Sequence, residues 1–241
     1  MHESYTCPLC CLPIAVPEAQ YSCFMPCCMK TVCDGCILAS QKRGMGGRCL
    51  FCRTPSPGDH AGTLARVQKR VDARDPAAMK YLADGYHKAR WGLQQDVPRA
   101  IELWTEAARL GDLDAHHFLG YRYYYGDGVE EDEARGIRYL QYAAIEGNPL
   151  SRHLLGVHEY RENENHELAI EHFMISAKMG YEISLNGIKD MFMKGHATKA
   201  HYAAALRGYQ NASEEARSPQ REEAKAVFNK AVCNKAAFNL K

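Results

Sequence analysis

The sequence predicts a small, cysteine-built, metal-stabilised module followed by an all-α solenoid of stacked helical hairpins. Two observations carry this. Ten of the eleven cysteines fall between Cys7 and Cys52. Beyond residue 62 a glycine-ended helical pattern recurs, with Gly111, Gly147 and Gly180 spaced 36 and then 33 residues apart. The boundaries follow from composition: a module over 1–53, a linker over 54–62, about four repeat units over 63–212, and a polar C-terminal helix or cap over 213–241.

The cysteines come first. With Cys11 and Cys23 set aside, they read C7-x2-C10-x16-C27-C28-x4-C33-x2-C36-x12-C49-x2-C52. A CxxC pair puts two thiolates at the tip of a tight turn, where both reach one tetrahedral zinc at about 2.3 Å. Three such pairs and the Cys27-Cys28 doublet supply eight thiolates, enough for two closed four-cysteine zinc sites. A disulfide framework would need a secretory context. The opening MHESYTCPLC has neither a basic n-region nor an apolar h-region, which argues against one. Thioredoxin-type redox chemistry uses one CxxC on a βαβ scaffold, not three in so short a run. Zinc also answers a folding problem, because so short a module buries too little apolar area to stand alone comfortably.

The residues around the cysteines, CPLC, CDGCILA and GRCLFCRTP, resemble a RING finger of the all-cysteine kind. The resemblance implies a cross-brace. Cys7, Cys10, Cys33 and Cys36 would hold one zinc, and Cys27, Cys28, Cys49 and Cys52 the other. Lys30 stands where the common RING has a histidine ligand, so both ligands of the second pair come from upstream. Cys23 is an alternative to one of the adjacent cysteines, and Cys11 reads as a free thiol. RING fingers mostly act as ubiquitin ligases that position a charged ubiquitin-conjugating enzyme without a covalent intermediate. Carried over, Leu9 and Ile37 stand at apolar contact positions for that enzyme, and Arg53 at the basic position that bridges to ubiquitin. Leu50 departs from the proline often found there. Local packing against the zinc turns is an equal reading of Leu9 and Ile37. No residue is assigned a catalytic role.

The linker, TPSPGDHAG, is rich in proline, glycine and polar residues. After it each repeat reads as two helices. Met79, Leu82 and Tyr86, then Phe118, Leu119 and Tyr123, give the first helix its apolar face; Ile101, Trp104 and Ala108, then Ile137, Leu140 and Ala144, give the second. Gly111, Gly147 and Gly180 are placed as left-handed helix ends, and Pro98 as a helix start. Leu64, Val67 and Val71 fit a lone helix that caps the first unit. Such units stack into a solenoid. The period, the loop GDGVEED over 126–132 and the AAxxG-type helix endings resemble Sel1-like repeats, relatives of the tetratricopeptide repeat. The order of parts resembles an expanded diatom family of RING/Sel1 proteins.

Composition narrows the functions. With 30 basic and 29 acidic residues the net charge is +1, which argues against nucleic acid as a partner. No apolar run approaches a membrane span. The expected protein is soluble and intracellular, in cytoplasm or nucleus. The eight histidines between His116 and His201 show no ligand spacing and read as surface or groove residues. Tyr121, Tyr123, Tyr124 and Tyr125 cannot all face one side of a helix; core packing is the first reading and a binding hot spot the second. The combined expectation is a zinc-binding adaptor with two zinc ions, acting as a RING-type ubiquitin ligase whose solenoid groove selects a protein substrate. A scaffold with a purely structural zinc module is the alternative.

Overall fold

The computed structural model describes residues 5–17 and 20–229. Cys233 and the rest of 230–241 lie outside the described residues, so the expected cap is described only as far as 229. The chain divides into two compact units, one with described residues 5–14, 20–107 and 216–229, the other with 15–17 and 108–215.

The first unit holds the cysteines. Strands β1 (Ser22–Met25) and β2 (Lys30–Cys33) form an antiparallel hairpin with Ser22 opposite Cys33. The Cys27-Cys28 doublet sits in its turn, which Met29 closes with a left-handed φ of 53°. Helix α1 (Asp34–Lys42) follows directly. Cys7, Ile14, Val32 and Cys33 are buried together as a small core. Helices α2 (His60–Asp72), α3 (Pro76–His87) and α4 (Val97–Arg109) come next. Asp59 caps α2 by accepting from the Gly62 N–H, and Asp75 caps α3, with Pro76 in the first turn where its missing N–H costs nothing. Trp104, 1% exposed, is the largest fully buried side chain; its indole N–H donates to Asp84 at 3.2 Å, joining α4 to α3.

The segment 54–62 is tied down in this unit. Pro55 bridges to Arg48, and its carbonyl accepts from Arg66 at 2.6 Å. Phe24 of β1 stacks on Tyr81 of α3 at 4.8 Å, and Tyr81 stacks on Trp91 at 4.3 Å. The cysteine module therefore shares an aromatic contact with the first repeat. Helix α11 (Pro219–Asn229) packs on α1, a partner that the polar sequence of this stretch does not reveal.

The second unit contains α5 (Leu113–Tyr125), α6 (Glu133–Ile145), α7 (Pro149–Arg161), α8 (His166–Lys178), α9 (Glu182–Met193) and α10 (Lys199–Glu215). They pair as hairpins α5–α6, α7–α8 and α9–α10, and α6 packs on α7 and α8 on α9. Asp112, Asp132, Asn148 and Asn165 cap four successive helices through side-chain bonds to backbone N–H groups. Gly111, Gly147 and Gly180 have φ between 91° and 95°, so each helix end takes the backbone that glycine adopts without strain. Gly136 serves a different need: a Cβ there would lie 2.7 Å from the Tyr124 backbone nitrogen, so glycine lets α5 and α6 touch.

Two sequence expectations are sharpened here. Of the histidines read as surface or groove residues, His117 and His153 are half-buried and face the next hairpin: His117 hydrogen-bonds buried Ser151 at 3.0 Å, and His153 bonds buried Ser184 at 2.9 Å. Both tie one hairpin to the next. Burial pushes each imidazole down to about 4, so both are neutral. The tyrosine cluster is not core. Tyr121 and Tyr125 are exposed and Tyr123 and Tyr124 half-buried, while Arg122 between them is buried and paired with Asp127 of the following loop. Among the described residues, no helix is long and apolar enough to cross a membrane.

Candidate metal centre

Two turns of one design frame the cysteines. In Cys7–Pro13 the Cys7 N–H donates to Leu12 O at 3.0 Å and the Cys11 N–H to Cys7 O at 2.9 Å. In Cys49–Pro55 the Cys49 N–H donates to Thr54 O at 2.8 Å and the Arg53 N–H to Cys49 O at 2.9 Å. Each is closed by an isolated bridge, Thr6 to Pro13 and Arg48 to Pro55, and each puts the residue after its second cysteine at positive φ, 55° for Cys11 and 61° for Arg53. The signal was present in the chain as a repeated C-x2-C-x2-P, in CPLCCLP and CLFCRTP. Sequence reasoning used the cysteines and passed over the prolines.

The structure brings the cysteines together in two groups: Cys7, Cys10, Cys33 and Cys36, and Cys27, Cys28, Cys49 and Cys52. Within each, the four sulfurs lie within 4.8 Å of one another. In the first group Cys7 lies 3.9 Å from Cys36 and Cys10 lies 3.8 Å from Cys33. In the second, Cys28 lies 3.7 Å from Cys49 and Cys27 lies 3.4 Å from Cys52. Every one of these contacts joins segments more than twenty residues apart, so each group staples two segments. Cys23, the alternative ligand, is on β1 with its sulfur 3.8 Å from the Phe24 carbonyl and belongs to neither group. Cys11 is exposed.

Crowded thiols resist ionisation. Burial first, and then the neighbouring sulfurs, push Cys28 and Cys36 up to about 12 and Cys27 higher still. Cys7 moves the other way, to about 4, because the Cys33 thiol donates to it, while Cys33 is raised in return. One sulfur of such a cluster ionises at the expense of the next unless a cation sits among them.

The surroundings of the groups differ. Cys7 and Cys33 of the first group are buried; in the second Cys52 is exposed and its sulfur contacts the Thr54 hydroxyl at 3.2 Å. Arg70 of α2 donates twice to the Cys27 carbonyl, at 3.0 and 3.2 Å. Of the remaining site candidates, Leu9 is 41% exposed and Arg53 is exposed. Ile37 packs against the buried core, which is the local-packing reading of that residue.

A second feature lies in the repeats. His116 of α5 and Arg135, Arg138, Tyr139 and Tyr142 of α6 line a cleft of about 310 Å³. His116 stacks on Tyr142 at 4.2 Å, and the Arg135 guanidinium covers the Tyr123 ring at 4.0 Å. Ile145, one turn beyond, is 75% exposed.

Hairpins in this order, with their capped starts and glycine ends, define a helical-repeat protein. The repeats are of the Sel1 kind: residues 76–112 and 113–148 each match the Sel1 repeat. Among curated proteins the chain is similar to human protein sel-1 homolog 2, 32% identical over 88 residues, and to the mouse protein of that name, 30% over 100 residues. These stretches are 36% and 40% of this chain but only 13% and 14% of the relatives' length. Among solved structures, a Sel1 repeat protein from Oxalobacter formigenes is 23% identical with a TM-score of 0.55, covering 64% of each chain. The protective antigen c5321 of uropathogenic Escherichia coli, which displays an SLR fold, is 24% identical with a TM-score of 0.54, covering 64% of this chain and 33% of that one. These two likenesses concern the fold.

Proposed function

We propose that this protein is a protein-interaction scaffold. Its Sel1-like solenoid docks a protein partner, and its N-terminal module is a structural, RING-like cross-brace of two zinc ions. The observation that carries the docking role is the α5–α6 surface, where Tyr142 and Ile145 stand exposed beside the arginine-lined cleft. Exposed aromatic and arginine side chains on a rigid scaffold are the residue types that dominate protein interfaces.

The donor set supports the zinc reading. A tetrahedral zinc at about 2.3 Å from each sulfur sets the sulfurs about 3.8 Å apart. The sulfur contacts in the two groups run from 3.4 to 3.9 Å. All-thiolate, four-coordinate groups suit zinc and leave no open position for chemistry. Bound there, zinc would supply the positive charge that keeps eight crowded sulfurs as thiolates. The chain's own part is to present them: the two C-x2-C-x2-P turns, the Cys27-Cys28 turn of the hairpin and the start of α1.

The decisive experiment compares quantitative affinity capture by the whole protein and by a Tyr139→Ala/Tyr142→Ala variant. A partner lost from the variant, at unchanged helical content, supports the docking role. Identical capture by both would sink it. Native mass spectrometry with and without a chelator tests the metal reading, and the expected difference is two zinc ions per chain.

A second reading, a RING-type ubiquitin ligase, draws on the exposure of Leu9 and Arg53 at the carried-over contact positions. On that reading Arg53→Ala abolishes autoubiquitination across a panel of conjugating enzymes while the zinc content stays at two. If the parent shows no transfer with any of them, only the scaffold remains.

A further inference from the structure

The residue that reaches the first cysteine group from farthest away is Arg221. It belongs to α11 and is 8% exposed. One terminal nitrogen lies 3.3 Å from Cys10 Sγ and donates to Leu12 O at 3.1 Å. The other donates to Pro13 O and, at 2.7 Å, to Ala216 O. Its Nε is buried without a hydrogen-bond partner. The groups that receive this guanidinium are carbonyls and a sulfur. A buried cation needs a compensating negative charge. Cys10, 3.3 Å away, and the three cysteines grouped with it would supply that charge as zinc-bound thiolates.

The fit around Arg221 is close. Gly35, the glycine of the CDGC turn, lies under the first turn of α11. A Cβ there would meet Arg221 Cγ at 2.8 Å, the Arg221 backbone nitrogen at 2.9 Å and Gln220 C at 3.0 Å. Lys42 of α1 pairs with Glu223, and Lys225 lies 5.7 Å from the Tyr21 ring centroid. Thus α11 meets the module at its first turn, at α1 and at Tyr21.

We propose that α11 is a metal-dependent clasp, with Arg221 as the positioning residue that ties it to the first zinc site. The inference rests on the zinc reading above. Four thiolates around one divalent cation leave a net charge of −2, and Arg221 offsets part of it. Zinc in the first site favours the docked helix. By linkage, the docked helix must hold zinc more tightly by the same factor. Among the described residues no guanidinium is seen on a sulfur of the second site; Arg70 reaches the Cys27 carbonyl.

The test uses the full-length, zinc-loaded protein. Zinc release to a chromogenic chelator is timed for the parent, Arg221→Gln, Arg221→Lys and Gly35→Ala, while hydrogen exchange is followed over residues 219–229. In Arg221→Gln, one of the two zinc ions leaves about tenfold faster and the other keeps its parental rate. Arg221→Lys, which retains the charge, falls between. Gly35→Ala, which displaces the helix but keeps the arginine, also speeds release of one ion. Cys36→Ser, which damages the first site, raises exchange in 219–229, whereas Cys52→Ser, which damages the second, does not. Parental release of both ions in every arginine and glycine variant overturns the clasp while leaving the zinc reading intact. A parent that holds no zinc overturns both.

Discussion

The two four-cysteine groups have the same donors and nearly the same turn, yet they sit in different surroundings. The first is sunk into the module's small core, with Cys7 and Cys33 buried and α11 laid over it. The second is more open, with Cys49 buried, Cys27 and Cys28 half-buried and Cys52 exposed, and Arg70 holds the Cys27 carbonyl beside it. The comparison separates two things that a cysteine pattern merges. Donor chemistry decides what a site can bind. The packing behind the donors decides how far losing that ligand spreads through the molecule.

The largest expected difference comes from removing one donor in each group. Structural zinc binding is worth on the order of 10 kcal/mol in small domains. Cys33→Ser removes both a donor and a core side chain, so the module unfolds and the zinc count falls to one or none. Cys52→Ser lowers the count by one while β1, β2 and α1 keep their hydrogen-exchange protection. Equal collapse in both variants would erase the asymmetry.

The repeats supply a contrast in the same chain, because their buried polar groups answer to protons. His117 and His153 sit near 4 in the folded protein against an ordinary 6.5. The unfolded chain therefore takes up protons first as pH falls. Stability is full above about pH 6.5 and declines until about pH 4, by roughly 3 kcal/mol for each imidazole. A His117→Asn/His153→Asn variant has a flatter melting-temperature profile across that window. A profile as steep as the parent's would place the acid sensitivity elsewhere.

Smaller effects sharpen the asymmetry. Gly35→Ala overpacks the α1–α11 contact at a cost of about 1–3 kcal/mol, seen as a lower unfolding midpoint in urea. Gly46→Ala is the silent control, since nothing lies within 4 Å of a Cβ there. Arg70→Ala removes two bonds to Cys27 O and the pair with Asp75 from a partly exposed side chain and lowers stability by about 1–2 kcal/mol, with faster release from the second site only. If Arg70→Ala instead loosens the first site, the two sites are coupled rather than separate.

Much of this was legible in the residues. The glycines at 111, 147 and 180 mark helix ends in any context, because positive φ is a local requirement. The pairing of cysteines into two interleaved groups rested on resemblance, since spacing alone leaves several pairings open. The match to Sel1 repeats supports the scaffold reading at least as well as the ligase reading. The bonds of His117 and His153 are not legible in the chain, because a histidine facing a serine 34 or 31 residues away leaves no mark at helical spacing. Arg122 was hidden by the tyrosines around it.

By itself the sequence determined what depends on neighbours along the chain: helix starts at Asp and Asn caps, helix ends at glycine, and thiolate pairs at the tips of short turns. Only the tertiary structure decided what depends on residues far apart. It placed Arg221 against Cys10 across 211 positions and made Gly35 a point of backbone contact. The physical reason is range. Backbone torsion and turn chemistry act over a few residues, whereas burial and charge compensation act over a few ångströms, whatever length of chain lies between.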